Sequence, residues 1–388
     1  MQIEALVHHL YAHVPFCARK CAYCAFYSEA GDAALMDRYV EALIRELELV
    51  SADLRPRTIF FGGGTPSILN LRQWERIFSA LERLNLAGDA EEWTIECNPA
   101  TVSADKAKLF RERGVNRISM GAQSFDEALL DRLGRVHSRD MIFRSFDTLR
   151  AAGFDNINID LMFAIPGQTL AQWRDSIRQA LALGSEHLSC YEVIYEEDTP
   201  LFEELQAGRV ALDEDLAAAM HEELLGMLDA AGFAQYEIAN FARRVPRDNA
   251  EIPFRACRHN VNYWRGGSYY GVGPGAAEYV RGARSKNWSN TVLWREQLEQ
   301  GRRAVESVER LRPLSRAGEL AAFGLRMNAG WPLAEFRRRT GYDLPQEWSG
   351  EIARLEALGY GKLGAERFCL TPRGMRYADW AAQEFLRL

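Results

Sequence analysis

Three cysteines lie close together near the start of the sequence, and their thiolates could hold a metal centre. Cys17, Cys21 and Cys24 are spaced by four and three positions, which lets one loop wrap one cluster. Four thiolates would occupy every iron of a 4Fe-4S cluster, whereas three leave one iron open to a further ligand. The spacing therefore favours a 4Fe-4S cluster with one reactive iron. Two alternatives stay open: a zinc site completed by His13 or by a distant residue, and three buried cysteines that bind no metal.

Polar or glycine residues recur where successive predicted strands end. Short β-rich runs alternate with amphipathic helical stretches in the first half of the chain, which predicts repeated β/α units and a mostly parallel sheet. The strands are predicted at residues 6–13, 58–61, 93–96, 117–120, 156–162 and 187–193. The unusual residues at their ends are Cys17 to Cys24, Gly62 to Thr65, Glu96, Gln123, Asp160 and Tyr191. Because the strand ends of a barrel open on one ligand-binding face, this pattern favours a partial (β/α)6 barrel of the TIM type over a doubly wound open sheet.

The cysteine loop resembles the signature of the radical S-adenosylmethionine (SAM) superfamily. Residues 13–24 read His-Val-Pro-Phe-Cys-Ala-Arg-Lys-Cys-Ala-Tyr-Cys, with the Cys-x3-Cys-x2-Cys spacing and an aromatic residue before the last cysteine. The resemblance implies that the amino and carboxyl groups of the cofactor's methionine bind the open iron. It also implies that an electron from the cluster cleaves the cofactor to a 5'-deoxyadenosyl radical.

Ten further residues match the SAM contacts of that superfamily by motif and order. They are Tyr11, Tyr23, Gly63, Gly64, Thr65, Glu96, Gln123, Arg135, Asp160 and Ile194. In the glycine-rich turn that ends at Pro66, backbone without side chains can approach a ligand closely and present N–H groups. Plainer interpretations remain, since this could be only a tight turn, Glu96 and Asp160 could cap neighbouring helices, and Tyr11 could be a core residue.

The whole chain resembles the HemN/HemW group of this superfamily, which contains oxygen-independent coproporphyrinogen III oxidases and heme chaperones. The oxidases carry another cysteine two residues after the third ligand, where this chain has Phe26, and a sizeable N-terminal extension that this chain lacks before residue 13. Both points favour the chaperone branch. That branch implies a function in heme and porphyrin metabolism, in which heme is bound and passed to an acceptor protein that could lie at a membrane.

Two enzymatic alternatives remain beside the chaperone hypothesis. One is oxidation of coproporphyrinogen III or another radical reaction on a tetrapyrrole, and the other is a radical reaction on a substrate unrelated to heme. Phe26 and the absence of the extension argue against the oxidase. Whether the protein is an enzyme therefore stays open at the level of sequence.

A second motif, at residues 257–264, reads Cys-Arg-His-Asn-Val-Asn-Tyr-Trp and resembles the His-Asn-x-x-Tyr-Trp motif of HemW proteins. An imidazole or a thiolate can bind heme iron axially, and aromatic rings suit a flat macrocycle. The resemblance predicts His259, ahead of Cys257, as a heme ligand, although a histidine beside aromatic residues is often purely structural. Relatives often have a histidine where this chain has Ala277, so heme binding here could be weaker or could use another residue.

Composition limits the partners and the compartment. A formal net charge of −7 argues against a nucleic-acid partner, which normally requires a basic face. Residues 1–9 lack the features of a secretory signal, and no apolar run is long enough to cross a bilayer. The seven unevenly spaced cysteines do not resemble a disulfide framework. We expect a cytoplasmic protein.

The length of 388 residues predicts more than one hydrophobic core. We expect the radical SAM barrel with the cluster and SAM site at residues 1–232 and an irregular segment, rich in glycine and aromatic residues, packed on it at 233–313. Residues 314–388 are expected to form a smaller, mainly helical domain with the element order of a winged helix. Docking or structural use of this domain is favoured over DNA binding, and a homodimer stays open.

Overall fold

A nine-stranded sheet forms the centre of the molecule in the computed structural model, which describes residues 6–248 and 251–387. Six of its strands are parallel and lie side by side in chain order. They are β1 (Val7–Val14), β2 (Leu54–Gly63), β3 (Glu92–Cys97), β4 (Arg117–Gln123), β5 (Ile157–Phe163) and β6 (His187–Glu192). The helices that connect them are α1 (Ala33–Val50), α2 (Leu71–Arg83), α3 (Ala104–Glu112), α4 (Glu127–Arg132), α5 (Arg139–Ala151) and α6 (Leu170–Leu183).

The strand order decides between the two architectures that the sequence left open. A doubly wound sheet reverses its strand order at a switch point, whereas β1 to β6 follow one another without reversal. Side chains from all six strands line one common cavity, which requires the sheet to curve around it. The predicted α/β fold, a partial barrel of six β/α units, is confirmed.

Local sequence explains where several helices begin and end. Asn70 before α2 and Thr169 before α6 accept a hydrogen bond from the backbone of Gln73 and Gln172, whose side chains bond back to the cap. These capping boxes satisfy backbone N–H groups that a helix leaves free. Helix α6 is followed by the cap residue Gly184, which has a φ of 75°. Glycine adopts this left-handed conformation without strain. Within the described ranges, no helix is long and apolar enough to cross a membrane.

The prediction that residues 233–313 are irregular is wrong, because this segment contains six strands. They are β7 (Phe233–Gln235), β8 (Asn240–Arg243), β9 (Tyr270–Val272), β10 (Ala277–Val280), β11 (Ala283–Asn287) and β12 (Val305–Glu309). β7 and β8 extend the sheet in antiparallel fashion beside β6, and β9 pairs in parallel with β1 at the other edge. β10, β11 and β12 form a separate antiparallel sheet. Glycine and aromatic residues are poor helix material, but aromatic residues suit strands and glycine suits tight turns.

Four helices lie between the barrel strands and the C-terminal part of the chain. They are α7 (Pro200–Gln206), α8 (Glu214–Ala230), α9 (Arg258–Trp264) and α10 (Thr291–Glu299). Helix α8 packs against α6, and α10 packs against α1. The segment 233–313 is thus continuous with the barrel in structure, and the boundaries at residues 232 and 313 remain a prediction.

The C-terminal part of the chain has a hydrophobic core of its own. Its elements are α11 (Pro313–Gly324), β13 (Trp331–Pro332), α12 (Leu333–Thr340), α13 (Leu344–Glu347), α14 (Ser349–Ala357), β14 (Gly361–Leu363), β15 (Arg367–Leu370), α15 (Pro372–Met375) and α16 (Ala378–Gln383). Trp331, Phe336, Trp348 and Phe368 are fully buried in this core. The antiparallel sheet has the order β13-β15-β14, so the expected arrangement of helices around a small wing-like sheet is present.

A buried carboxylate joins the barrel to the segment that follows it. Glu46 of α1 is fully buried and accepts hydrogen bonds from Gly273 N (2.7 Å), Asn287 Nδ2 (2.8 Å) and Trp294 Nε1 (2.9 Å). It also forms an ion pair with Arg303 at 3.4 Å. Burial raises the pKa of Glu46, while Arg303 and the N–H donors act in the opposite direction.

We therefore expect Glu46→Ala to destabilise the protein strongly. The substitution leaves several buried donors without an acceptor and Arg303 without one of its partners, which costs about 3 kcal/mol or more of unfolding free energy. Denaturant unfolding followed by circular dichroism measures the effect. The control is Glu48→Ala on the exposed face of the same helix, which should change stability by no more than about 0.5 kcal/mol. Similar losses for both variants would contradict the bridging role of Glu46.

Candidate functional site

The cysteine loop connects β1 to α1 at the carboxyl end of the sheet. Two backbone hydrogen bonds continue the pairing of β1 and β2 into the loop: Gly64 N donates to Val14 O and Thr65 N donates to Phe16 O, both at 2.8 Å. The sheet therefore fixes the start of the loop and holds the glycine-rich turn against it.

All three cysteines of the loop line one cavity of about 720 Å³, here named the cluster cavity. Cys17 Sγ lies 3.7 Å from Thr65 Oγ1, and Arg135 Nη1 donates to Cys21 Sγ at 3.4 Å. Burial raises the pKa of the thiols of Cys17 and Cys24. The positive charge of Arg135 counteracts this effect at Cys17 and favours the thiolate form that a metal requires.

The donor set fits a cluster with one open iron. Arg135 is held by a hydrogen bond from Nη2 to Gly121 O (2.7 Å), while its buried Nε has no partner in the structure. A fixed cation beside the thiols suits an anionic iron–sulfur centre, because hydrogen bonds and charge near the sulfurs tune such centres. The cluster cavity leaves room beside the thiols for a further ligand.

His13 is not available as a fourth zinc ligand in this conformation. Its Nδ1 lies 3.0 Å from Tyr11 Oη and its Nε2 lies 2.9 Å from Tyr27 O, so both ring nitrogens have hydrogen-bond partners. Burial lowers the pKa of His13 to about 4. In the described part of the chain, no three His, Cys, Asp or Glu side chains surround a point that could hold a single metal ion.

Two glycines of the turn are required by close packing. Gly63 has a φ of 106°, and a Cβ there would lie 2.4 Å from the ring of His13. A Cβ on Gly64 would lie 2.8 Å from Val14 O and from Phe16 O. The turn is therefore more than a generic tight turn, since any larger residue would push β2 away from the cysteine loop.

The two carboxylates at the strand ends do not cap helices. Glu96 Oε2 accepts a hydrogen bond from Gly63 N at 3.1 Å, and Asp160 accepts from Ser119 Oγ (3.2 Å) and Asn158 Nδ2 (2.7 Å). Burial, together with the charge of Asp160, raises the pKa of Glu96 to about 8. Burial also raises the pKa of Asp160. Both groups face the cluster cavity, where an ionised carboxylate would attract a cationic ligand.

Gln123 owes its position to an irregularity in the sheet. The pairing of β4 with β5 shifts by one residue between Gly121 and Gln123, and Gln123 has a φ of 66°. Bulges and left-handed non-glycine residues are costly, and they concentrate next to functional sites, where they redirect a side chain. Here the bulge turns Gln123 into the cluster cavity.

The structure brings together most of the residues that the sequence predicts for the cluster and SAM. The cluster cavity is lined by Cys17, Cys21, Tyr23, Cys24, Gly63, Gly64, Thr65, Glu96, Gln123, Arg135, Asp160 and Ile194. Tyr11 lies outside it and lines an adjoining cavity of about 760 Å³, here named the lumen cavity, which shares Glu96 and Asp160 with the first. The role of each residue stays a prediction, but these twelve residues line the same cavity.

His259 and Cys257 lie elsewhere, at the opposite end of the barrel. His259 is 1% exposed, and its two ring nitrogens lie 2.7 Å from Thr58 Oγ1 and 2.7 Å from Tyr263 Oη. Cys257 is also buried, and its thiol donates to Glu92 Oε1 at 3.6 Å. Axial binding of heme by either residue would require these hydrogen bonds to break, and it stays a prediction.

Ala277, at the start of β10, lines the lumen cavity. The next residue, Glu278, is turned away and pairs with Arg303 (2.9 Å) and Ser285 Oγ (2.7 Å). A histidine at position 277 would therefore point into the lumen cavity, and in this chain the alanine removes that donor.

Several cavity residues escaped the sequence analysis. Asn98 and Ser119 line the cluster cavity, and Arg117 lines the lumen cavity. The sequence did contain a signal for Arg117 and Ser119, which lie on β4. Strands of a fully covered parallel sheet are usually continuous apolar runs, so polar residues within such a strand stand out. Polar residues at alternate positions of β4 indicate a face turned toward a solvated interior.

Comparison with known proteins identifies the two parts of the chain. Residues 11–180 match the family model described as Radical SAM superfamily, and residues 311–377 match the HemN C-terminal domain. Among curated proteins, the chain is 33% identical over 380 residues to the heme chaperone HemW of Lactococcus lactis, covering 97% of this chain and 96% of that protein. It is 39% identical to HemW of Bacillus subtilis over 282 residues, covering 71% and 72% of the two chains.

Among solved structures, the chain resembles coproporphyrinogen III oxidase (HemN) from Escherichia coli. The TM-score is 0.84, the sequence identity is 20%, and the match covers 98% of this chain and 90% of the other. At this identity the similarity establishes a shared fold and not a shared activity.

The packing of the glycine turn predicts the effect of a small substitution. Gly64→Ala should weaken SAM binding roughly tenfold or more, because the added methyl group forces the turn away from the backbone of Val14 and Phe16. Equilibrium binding of SAM to the anaerobically reconstituted protein measures the effect. Gly88→Ala is the matched control, since a Cβ at Gly88 meets no atom within 4 Å. Equal SAM affinities for the two variants would contradict this role of the turn.

The raised pKa of Glu96 predicts that SAM affinity depends on pH. Below about 8 its carboxyl group is mainly neutral, and above that value the carboxylate attracts the cationic cofactor. We expect the Kd for SAM to fall roughly tenfold between about pH 7 and about pH 9, and Glu96→Gln to remove this dependence. Titrations of the wild type, Glu96→Gln and the exposed control Glu82→Gln test this. A wild-type affinity that is flat or falls with pH would contradict it.

Proposed function

The chain belongs to the HemW family within the radical SAM superfamily, and on this premise we propose that it is a heme chaperone that binds a 4Fe-4S cluster, SAM and heme and transfers heme to an acceptor protein. The observation that carries the proposal is the similarity to heme chaperones along almost the whole chain. Two cavities that share lining residues, one bearing the three thiols and the other lined by aromatic rings, support it.

In this proposal Cys17, Cys21 and Cys24 bind the cluster through their thiolates. A cluster with one open iron supplies an electron for reductive cleavage of SAM when both are bound. Arg135 keeps its guanidinium beside Cys21 Sγ, which stabilises negative charge on the sulfur and opposes reprotonation of the thiolates. The half-buried loop excludes part of the solvent from this side of the cavity.

The chain positions SAM with backbone and carboxylate groups. The turn at Gly63 and Gly64 allows a ligand to approach the backbone closely, and Thr65 stands next to Cys17. Glu96 and Asp160 place two carboxyl groups on the same cavity wall, which suits the positive charges of the cofactor. Gln123 adds a neutral donor and acceptor from the bulge in β4.

The lumen cavity is the place where we propose that heme binds. Its walls carry aromatic rings from Tyr11, Phe60, Tyr263 and Tyr269, against which a flat macrocycle can pack. The cavity shares Glu96 with the cluster cavity, so a ligand there would lie close to bound SAM. Tyr263 of the His-Asn-x-x-Tyr-Trp motif lines this cavity.

Coproporphyrinogen III oxidation is the second candidate, and the similarity of fold to the oxidase HemN favours it. Phe26 argues against it. This side chain is 68% exposed at the rim shared by both cavities, and it supplies no thiol where the oxidases carry a further cysteine. The relatives from Lactococcus lactis and Escherichia coli, at 33% and 40% identity, are heme chaperones by name.

The proposal predicts stoichiometric heme binding and a test of His259 as a ligand. The intact, cluster-loaded protein should bind heme, and His259→Ala should shift the Soret band and weaken binding roughly tenfold or more if the imidazole reaches iron. Thr58→Val is the matched control, because it breaks the hydrogen bond to His259 but leaves the imidazole in place. Absorption titrations under anaerobic conditions measure both variants.

Three results would contradict parts of this proposal. Failure of the intact protein to bind heme would overturn the chaperone function. Equal spectra and affinities for wild type, His259→Ala and Thr58→Val would remove His259 from the heme site without affecting the rest. Conversion of coproporphyrinogen III to protoporphyrinogen IX during anaerobic incubation with SAM and a reductant would place the protein with the oxidases instead.

A further inference from the structure

The interior of this six-stranded partial barrel is polar, in contrast to that of a closed eight-stranded TIM barrel. TIM-type barrels generally fill their interior with layers of branched aliphatic side chains. Here the strands present Glu96, Arg117, Ser119, Asn158, Asp160 and Ser189 to the lumen cavity. An interior of this kind cannot be explained by packing alone, and it suits a ligand that carries polar groups.

Arg117 is the exceptional member of this set. It is only 2% exposed, it lines the lumen cavity at the start of β4, and its Nε has no hydrogen-bond partner. Among residues 6–248 and 251–387, its guanidinium has no hydrogen bond at Nε and no direct ion pair, although Cys257, Glu92 and Asp160 lie close enough to raise its pKa against the effect of burial. An arginine buried without a direct ion pair is rare, because removing a cation from water is costly unless a close counter-charge offsets the loss.

The two carboxylates whose charges act on Arg117 accept their hydrogen bonds from other donors. Glu92 accepts from the backbone N–H groups of Arg258 (2.9 Å) and His259 (3.0 Å) and from the thiol of Cys257. It therefore holds the start of α9 and does not form an ion pair with Arg117. The same applies to Asp160, whose two oxygens accept hydrogen bonds from Ser119 and Asn158.

The rest of the described lumen cavity supplies no direct partner for this cation either. Lys20 and Lys286 add positive charge to the wall, and Asp198 opposes them. Burial raises the pKa of Glu96 to about 8, so this carboxyl group is mainly neutral at pH 7. The aromatic rings of Tyr11, Phe60 and Tyr263 form the apolar part of this cavity, and Arg117 places a buried cation in it.

We propose that Arg117 binds a carboxylate of the ligand in the lumen cavity, and that this carboxylate is a propionate of heme. The assignment of the ligand rests on the proposed function. A guanidinium can donate two parallel hydrogen bonds to one carboxylate, and such a pair is strongest where water is excluded. The rings along the cavity wall would then contact the macrocycle, while Arg117 fixes its rotation and depth.

SAM supplies the other carboxylate that this protein is proposed to bind. The experiment must therefore separate the two sources. Heme dimethyl ester has the same macrocycle as heme but no ionised propionate, so it isolates the contribution of the carboxylates. SAM binding to the same variants shows whether Arg117 acts on the methionine carboxylate instead.

The test compares heme and heme dimethyl ester on wild type, Arg117→Gln and Arg117→Lys. We expect wild type to bind heme roughly tenfold or more tightly than the ester, Arg117→Gln to lose this preference, and Arg117→Lys to keep part of it. SAM affinity should stay within about twofold of wild type in all variants. Arg113→Gln, at a partly exposed ion pair with Glu82, is the control and should retain the full preference for heme.

The outcomes distinguish this inference from the function on which it rests. Binding of neither heme nor ester by wild type overturns both. Equal binding of heme and ester by wild type overturns the role of Arg117 alone, and this comparison is decisive even if Arg117→Gln does not fold. A loss of SAM affinity in Arg117→Gln with an unchanged preference for heme assigns the methionine carboxylate to Arg117 and overturns the propionate.

Discussion

Two backbone hydrogen bonds beyond the ends of β1 and β2 set the geometry of the whole site. They join Gly64 to Val14 and Thr65 to Phe16, and they hold the cysteine loop and the glycine turn at a fixed separation. No residue with a Cβ fits at position 64 without moving this backbone. Because the loop continues the pairing of the sheet, the strands hold the thiols in fixed positions. The ends of the other strands form the rest of the cavity around them.

The interior of the barrel is polar and contains cavities, so the hydrophobic core that stabilises the barrel lies outside it. The large apolar residues lie between the sheet and its helices, where Trp74 of α2 and Trp173 of α6 are fully buried. This leaves the inner face free to carry ionisable groups around two joined cavities. Helix α9 closes the end opposite the thiols, where Glu92 accepts its first N–H groups. The thiols and α9 thus lie at opposite ends of the barrel.

The segment after the barrel is part of the same structural unit. Strand β9 adds to the edge at β1, while β7 and β8 add to the edge at β6, so both exposed edges of the parallel strands are paired. Glu46 joins α1 to this segment through buried hydrogen bonds. The C-terminal core is separate, and its helix α11 contacts α9, which connects the closed end of the barrel to the smaller domain.

The sequence by itself determined what local patterns encode. The spacing of Cys17, Cys21 and Cys24, the alternation of β/α units and the residues at strand ends predicted the barrel and the residues that share its cluster cavity, because parallel strands bring their carboxyl ends to one edge. Only the tertiary structure decided what depends on distant pairing. It buried His259 between Thr58 and Tyr263, built strands within residues 233–313, and left Arg117 without a direct ion pair among the described residues. No pattern within β4 could reveal that last feature, since it depends on the hydrogen bonds that Glu92 of β3 and Asp160 of β5 accept from residues other than Arg117.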